Sequence, residues 1–268
     1  NTVALLDEGA TVPFIARYRK DQTGNLDDQA VRNFSDRLTA LRKLEERRAD
    51  VHRLIDEQGK MNDDLAGRIA AAESLTELDD LYRPYRPKRK TRASMAEARG
   101  LAPLAEAWLN GTAAAELEAL AEQLAQANDE LADAAAAIQG ACDILAEKMA
   151  DDADVRARLR DELARQGVIH TKVGKSPDNT YDTYLDYSEP LAKMAAHRVL
   201  AIGRAERDEA LSVSLEADEE QAVYLLYKHS YRKGMAWQER LQETCRDAWR
   251  RLLKPSLEKE VRKARTEW

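Results

Sequence analysis

Apolar residues recur every three or four positions along most of this chain, the spacing that lines them up on one face of an α-helix. The longest such run starts at Asp27 or Asp28 and ends near Gln58. Val31, Phe34, Leu38, Leu41 and Leu44, then Val51, Leu54 and Ile55, keep one apolar face, and Gly59 is placed to stop the helix. Ahead of it, Val3, Leu5 and Leu6 end a short helix closed by Gly9. Pro13 opens another, with Phe14, Ile15 and Tyr18 as its apolar face and Arg17, Arg19 and Lys20 pointing elsewhere. Two short helices around a glycine turn have the form of a helix-turn-helix, which is also common in ordinary helical cores.

The pattern continues beyond Gly59. Asn62 or Asp63 caps a helix carrying Leu65 and Ile69. Ser74 and Glu77 form a capping box for the next, with Ser74 accepting from the Glu77 N–H and Glu77 reaching back. Thr91 can cap a helix that ends at Gly100, and Pro103 opens one carrying Leu104 and Trp108. Two Ala-rich helices follow, whose small side chains permit close packing. Asp151, Asp152 and Asp154 then precede Val155, as caps of a helix closed by Gly167. Only Val168–Val173 and Leu211–Leu215 read as strands. Pro190 reads as a helix start, Asp218 as a cap, and Pro255 as a kink or restart near the end. The periodicity predicts an all-α protein with at most one short two-stranded β piece.

One stretch breaks the pattern. Leu81 to Arg92 reads LYRPYRPKRKTR: six basic residues, two prolines, two tyrosines and no acid. Proline excludes regular helix here, so a stiff extended link between helical blocks is expected. Arg83, Arg86, Lys88, Arg89, Lys90 and Arg92, interleaved with Tyr82 and Tyr85, suit a phosphate backbone and stacked bases; they equally suit a linker packed on acidic helices. Arg17, Arg19 and Lys20 are a second candidate group. The organisation expected is 1–82 helical, 83–92 a basic elbow, 93–167 a helical bundle, 168–217 mixed loop, helix and short strand, and 218–268 helical.

Composition supports helix: charged residues make up 34% of the 268 positions, with few aromatics and low Gly and Pro. The net charge of −7 argues against a generally basic nucleic-acid coat protein. Its distribution is uneven. Ala113 to Asp154 holds eleven acids and one lysine, whereas Lys228 to Trp268 holds twelve basic residues and six acids, so an anionic partner would meet local patches. No run of 18 apolar residues occurs and no signal peptide is visible, so no membrane association is expected. Cys142 and Cys245 read as unpaired thiols of a reducing compartment.

Catalytic signatures are missing. His52, His170, His197 and His229 stand apart from one another, without metal-ligand spacing, and no phosphate-binding or nucleophile-elbow motif is present. Asp186 and Glu189, three apart, imitate an acid/base pair, although pairing with Arg198 or another basic group is the simpler account. The expectation is a protein without enzymatic activity, cofactor or metal.

Several long segments then add up, in order: GATVPFIARYRK, LYRPYRPKRKTRASMAEARGLAPLA, GACDILAEKMADDADVRARLRDELARQGVI and the YLDYSEP…HRVLAIGRAE run. Together they resemble the amino-terminal half of the bacterial Tex family of transcription accessory factors, which is similar to the core of a eukaryotic elongation factor that doubles as a histone chaperone. The resemblance covers essentially the whole chain. It implies an elongated multi-helix array with helix-turn-helix elements, cytoplasmic and monomeric, taking part in transcription and engaging its machinery. It also implies nucleic-acid binding that is weak and without strong sequence preference, mainly through domains beyond this fragment, with the basic residues named above as a secondary contact. A purely structural scaffold for protein interactions is the alternative. The chain departs from the family at Leu185, at Met194-Ala195-Ala196, and at Gly203 to Ala210, which puts any function of that last turn's glycines in doubt.

Overall fold

The computed structural model describes residues 1–87 and 90–266, with two compact units, 1–85 and 86–268. In the first, α4 (Asp28–Asp56) is the spine. Asp27 caps it, accepting from the Ala30 N–H at 2.7 Å. The short helices α1 (Thr2–Asp7), α2 (Val12–Tyr18) and α3 (Lys20–Thr23) precede it. Leu5, Ile15 and Ala16 pack on Val31 of α4, and Arg42 pins α1 through two hydrogen bonds to Asp7. The far end of α4 carries α5 (Asp63–Ala71) and α6 (Leu75–Tyr82). There Arg48 donates to the Ile69, Ala70 and Ala72 carbonyls, which α5 leaves unpaired at its C-terminus, and Arg47 pairs with Asp79 at 2.6 Å.

Two expectations for this unit need correction. The predicted stripe of α4 is buried at Val31 and again from Leu44 onward, at Leu44, Val51 and Ile55; Phe34 and Leu41 are exposed. Helical period fixes which residues share a face, but neighbours must reach that face to bury it. At α6, Ser74 does accept from the Glu77 N–H, yet the Glu77 carboxylate bonds the Glu73 N–H at 2.7 Å, one residue earlier than a standard capping box.

The second unit is built around α10 (Ala134–Asp151). Against it lie α7 (Arg92–Ala98), α8 (Ala102–Leu109), α9 (Ala114–Gln126) and α11 (Ala153–Gln166). Ala137, Gly140 and Ala141 are buried, and a Cβ on Gly140 would fall 2.3 Å from Leu101 Cδ1, so glycine is what lets α10 sit this close to its neighbours. Then follow β1 (Val168–Val173), β2 (Ser188–Pro190), α12 (Ala196–Arg207), β3 (Leu211–Glu216), α13 (Glu219–Ser230), α14 (Gln238–Asp247) and α15 (Lys254–Thr266). Trp108 is buried, donates to the Ala236 carbonyl at 2.9 Å and meets Trp237 edge-on.

The fold is mostly α, but its sheet has three antiparallel strands in the order β2–β1–β3, not two. Ser188–Pro190 escaped detection because three polar or proline positions carry no period-2 signal, and proline is tolerated on an edge strand. Pro190 ends that strand and opens only a short 3-10 turn, Leu191–Lys193, before α12 begins at Ala196; the Leu191 N–H bonds the Gly167 carbonyl at 2.8 Å. Pro255, expected as a kink or restart, is the second residue of α15. A π-helical turn, Ala248–Leu253, precedes it and opens the spacing where proline has no N–H to donate, so α15 continues directly.

Candidate nucleic-acid interface

The nine basic residues singled out in the sequence fall into separate places. Arg17, Arg19 and Lys20 lie on α2 and at its junction with α3. Arg17 and Lys20 are exposed. Here the assignment of the apolar face changes: Ile15 and Ala16 go into the core, while Phe14 is 40% and Tyr18 66% exposed. One short helix cannot turn four such residues to the same neighbour. Phe14 and Tyr18, one helical turn apart, instead pack on each other with ring centroids 5.5 Å apart. The Arg19 guanidinium lies 5.3 Å from the Phe14 centroid, a cation–π arrangement. Three basic residues against the neighbouring Asp21 leave this surface positive. An exposed aromatic ring, Tyr18 above all, beside cations supplies the components of a single-strand platform, one stacking bases and the other meeting phosphates.

The Leu81–Arg92 stretch is less extended than its prolines suggest. Arg83–Tyr85 continue α6 as a 3-10 turn. Tyr82 is buried under Arg47, whose guanidinium sits 5.4 Å from its ring, so it is no stacking platform. The Tyr85 carbonyl accepts from Gln58, and the Lys60 ammonium is 6.0 Å from the Tyr85 ring. Arg83 and Arg86 are half-buried and each has interaction partners. Lys90 and Arg92 are exposed, with Arg92 opening α7 beside its cap Thr91. Lys88 and Arg89 lie outside the described residues. Arg83 belongs to the first unit and Arg86, Lys90 and Arg92 to the second.

Several arginines of the basic C-terminal region are paired within their own unit. Arg250 forks onto Glu219, whose carboxyl is held below its usual range by that bond, and Arg251 joins Asp247 to Asp143. Burial pushes the Asp143 carboxyl up despite the nearby Arg251.

The carboxylate pair does not form. Asp186 sits in a left-handed turn at φ 49°, while Glu189 on β2 accepts from Arg198 at 3.0 Å and from the Tyr187 hydroxyl. Burial, then that bond to Glu189, raises the Tyr187 phenol. Asp152 caps α11 at the Val155 N–H and faces His229 Nε2 at 3.2 Å. Among the described residues no group of three or more His, Cys, Asp or Glu side chains is placed to hold a metal ion, and no helix is long and apolar enough to cross a membrane.

Comparison with known proteins adds an independent line. Residues 112–267 match the family described as Tex central region-like, and residues 1–56 that described as Tex-like protein N-terminal domain. The sequence is 42% identical over 275 residues to the transcriptional accessory protein Tex of Neisseria gonorrhoeae, covering 97% of this chain and 35% of that protein. It is 46% identical over 220 residues to protein YhgF of Escherichia coli, covering 81% of this chain and 28% of that one. A more distant relative is the human S1 RNA-binding domain-containing protein 1, 26% identical over 225 residues, or 80% of this chain and 22% of that protein. The chain thus spans about a third of the bacterial relatives it matches. With family matches over its N-terminal and central segments, the chain belongs to the Tex family.

Proposed function

We propose that this chain is a helical binding module of a cytoplasmic transcription accessory protein, that it contacts nucleic acid without strong sequence preference, and that it carries no catalytic step. The observation behind this reading is the α2–α3 surface, where exposed Phe14 and Tyr18 flank exposed Arg17 and Lys20. The relatives' printed names, a transcriptional accessory protein and an RNA-binding-domain protein, support the same reading. Phosphate contacts give affinity without reading bases, and base stacking tolerates any sequence.

The test is titration of the chain with single-stranded and duplex oligonucleotides over a salt series. Binding is expected at low salt with preference for single strands. Replacing Arg17 and Lys20 by Ala should flatten the salt dependence by roughly 0.7 log units per lost contact on a single strand. Replacing Tyr18 by Ala should cost about 1–3 kcal/mol per stacked base. Absence of binding at low salt, or binding indifferent to these changes, overturns the reading.

A scaffold role for the 83–92 segment is favoured by one observation: Arg83 and Arg86 are half-buried and engaged. On that reading, replacing Arg86, Lys88, Arg89 and Lys90 by Ala lowers the melting temperature and leaves oligonucleotide affinity unchanged.

A further inference from the structure

A groove of about 810 Å³ opens on the second unit between α12 and α15, with the sheet at its base. Its apolar lining includes Leu191, Met194, Ile202 and Val213, and Leu200, 57% exposed, stands on its wall. Five basic side chains, Arg207 on α12 and Lys259, Arg262, Lys263 and Arg265 on α15, stand against two acids, Glu206 and Glu258. Both acids are met by Arg262, and Lys263 and Arg265 are already engaged; Arg207 and Lys259 are exposed on the rim.

Gly203 is the second notable feature of the groove. It lies inside α12, where glycine weakens a helix relative to alanine, and it lines the groove. Its φ is not in the left-handed region, and a Cβ placed on it would meet nothing within 4 Å. Neither backbone conformation nor crowding within the chain therefore calls for glycine here. A missing side chain beside open apolar surface is what close approach of another backbone needs.

We infer that the groove is the docking site for an amphipathic, acidic α-helix of a partner protein. The helix crosses α12 at Gly203, sets apolar side chains spaced i, i+3 and i+7 on Leu200, Met194 and Val213, and turns its carboxylates to Arg207 and Lys259. The wall helix has 12 residues, about 18 Å, which matches a partner segment of three to four turns. Apolar anchors supply the affinity, and the charged rim supplies orientation and association rate.

The probe is a fluorescein-labelled helical peptide of about 14 residues, with leucines at that spacing, alanine at the crossing point and glutamate on its flanks. Fluorescence anisotropy with this chain should give saturable binding that weakens with salt. A peptide with lysine in place of each glutamate should bind at least tenfold more weakly. Gly203→Leu should weaken binding of the acidic peptide at least tenfold, and the double variant R207E with K259E should do the same. Gly203→Ala separates docking from folding: it should raise the melting temperature by about 2–4 °C while weakening the peptide severalfold. No saturable binding, equal binding of the lysine peptide, or indifference to Gly203→Leu overturns the proposal. Self-association of the chain abolished by Gly203→Leu would assign the groove to a second copy and equally overturn it. So would failure of the complete relatives to bind the peptide, because their own later residues would then occupy the groove.

Discussion

The Arg156 guanidinium is fully buried (0% exposed) beneath α15, where the Glu260 carboxylate meets it. Arg156 also donates to the Ala150 carbonyl at 3.2 Å and to Ser256 Oγ at 3.0 Å. The second Glu260 oxygen accepts from Arg160 Nη2 at 3.0 Å, and Ser256 Oγ donates to the first at 2.9 Å. Glu260→Gln keeps the shape and replaces one of those oxygens with an NH₂ group, which must face a guanidinium. It also removes the charge opposing a buried cation. Breaking a buried pair in this way costs about 3–5 kcal/mol. The lower end applies, because Arg156 keeps its other partners, the Ala150 carbonyl and Ser256 Oγ among them, and Glu260 is itself partly open to water. A loss of about 3 kcal/mol corresponds to a fall in melting temperature of roughly 6–12 °C for a domain of this size. Urea unfolding at constant m-value measures it directly. Adding Arg156→Met to Glu260→Gln removes the stranded charge and should recover at least half of the loss, giving a favourable coupling energy in the double-mutant cycle. A single variant within 1 kcal/mol of the parent, or strictly additive losses, would refute the account of α15 as pinned through this cluster.

Other consequences are as direct. Gly174 lies where a Cβ would fall 2.1 Å from the Glu209 carbonyl oxygen, so Gly174→Ala should cost about 1–3 kcal/mol in urea unfolding by forcing the end of the β1–β3 pair apart. Glu209, at φ 57°, occupies a backbone region that glycine adopts freely, so Glu209→Gly should be neutral or stabilising by up to about 1 kcal/mol, with unchanged circular dichroism. Burial pushes the Cys245 thiol up to about 12 and raises Cys142, so a disulfide reagent at pH 8 should label neither in the native chain and both in guanidinium. Burial raises the Asp143 carboxyl above 3.8, which means its charged form is disfavoured by folding and its contribution to stability improves as the pH falls through the folded value. Asp143→Asn should therefore match or exceed the parent's melting temperature at pH 7, and the difference should shrink towards pH 4.

Most helices were legible because period and caps are local. Asp27, Asn62, Ser74, Thr91, Asp152 and Asp218 each accept the backbone N–H that their place before an apolar run calls for. The sheet was legible only where β-branched residues gather. Ser188–Pro190 became a strand because β1 offered an edge, a partner some twenty residues away in the chain. The basic residues were visible as types, but their neighbours were not. Tyr82 turned inward over α4, and Phe14 and Tyr18 turned outward, although all three alternate with arginine in similar ways.

Helix content, capping, the uneven charge and membership of the Tex family were thus determined by the sequence itself, through short-range chemistry and segments long enough to be specific. Tertiary structure alone decided which apolar residues stay exposed, which arginines are consumed by internal carboxylates, and that Gly203 borders an open groove. Each of these depends on what lies across from a residue, and periodicity along one chain names the face but not the neighbour that covers it.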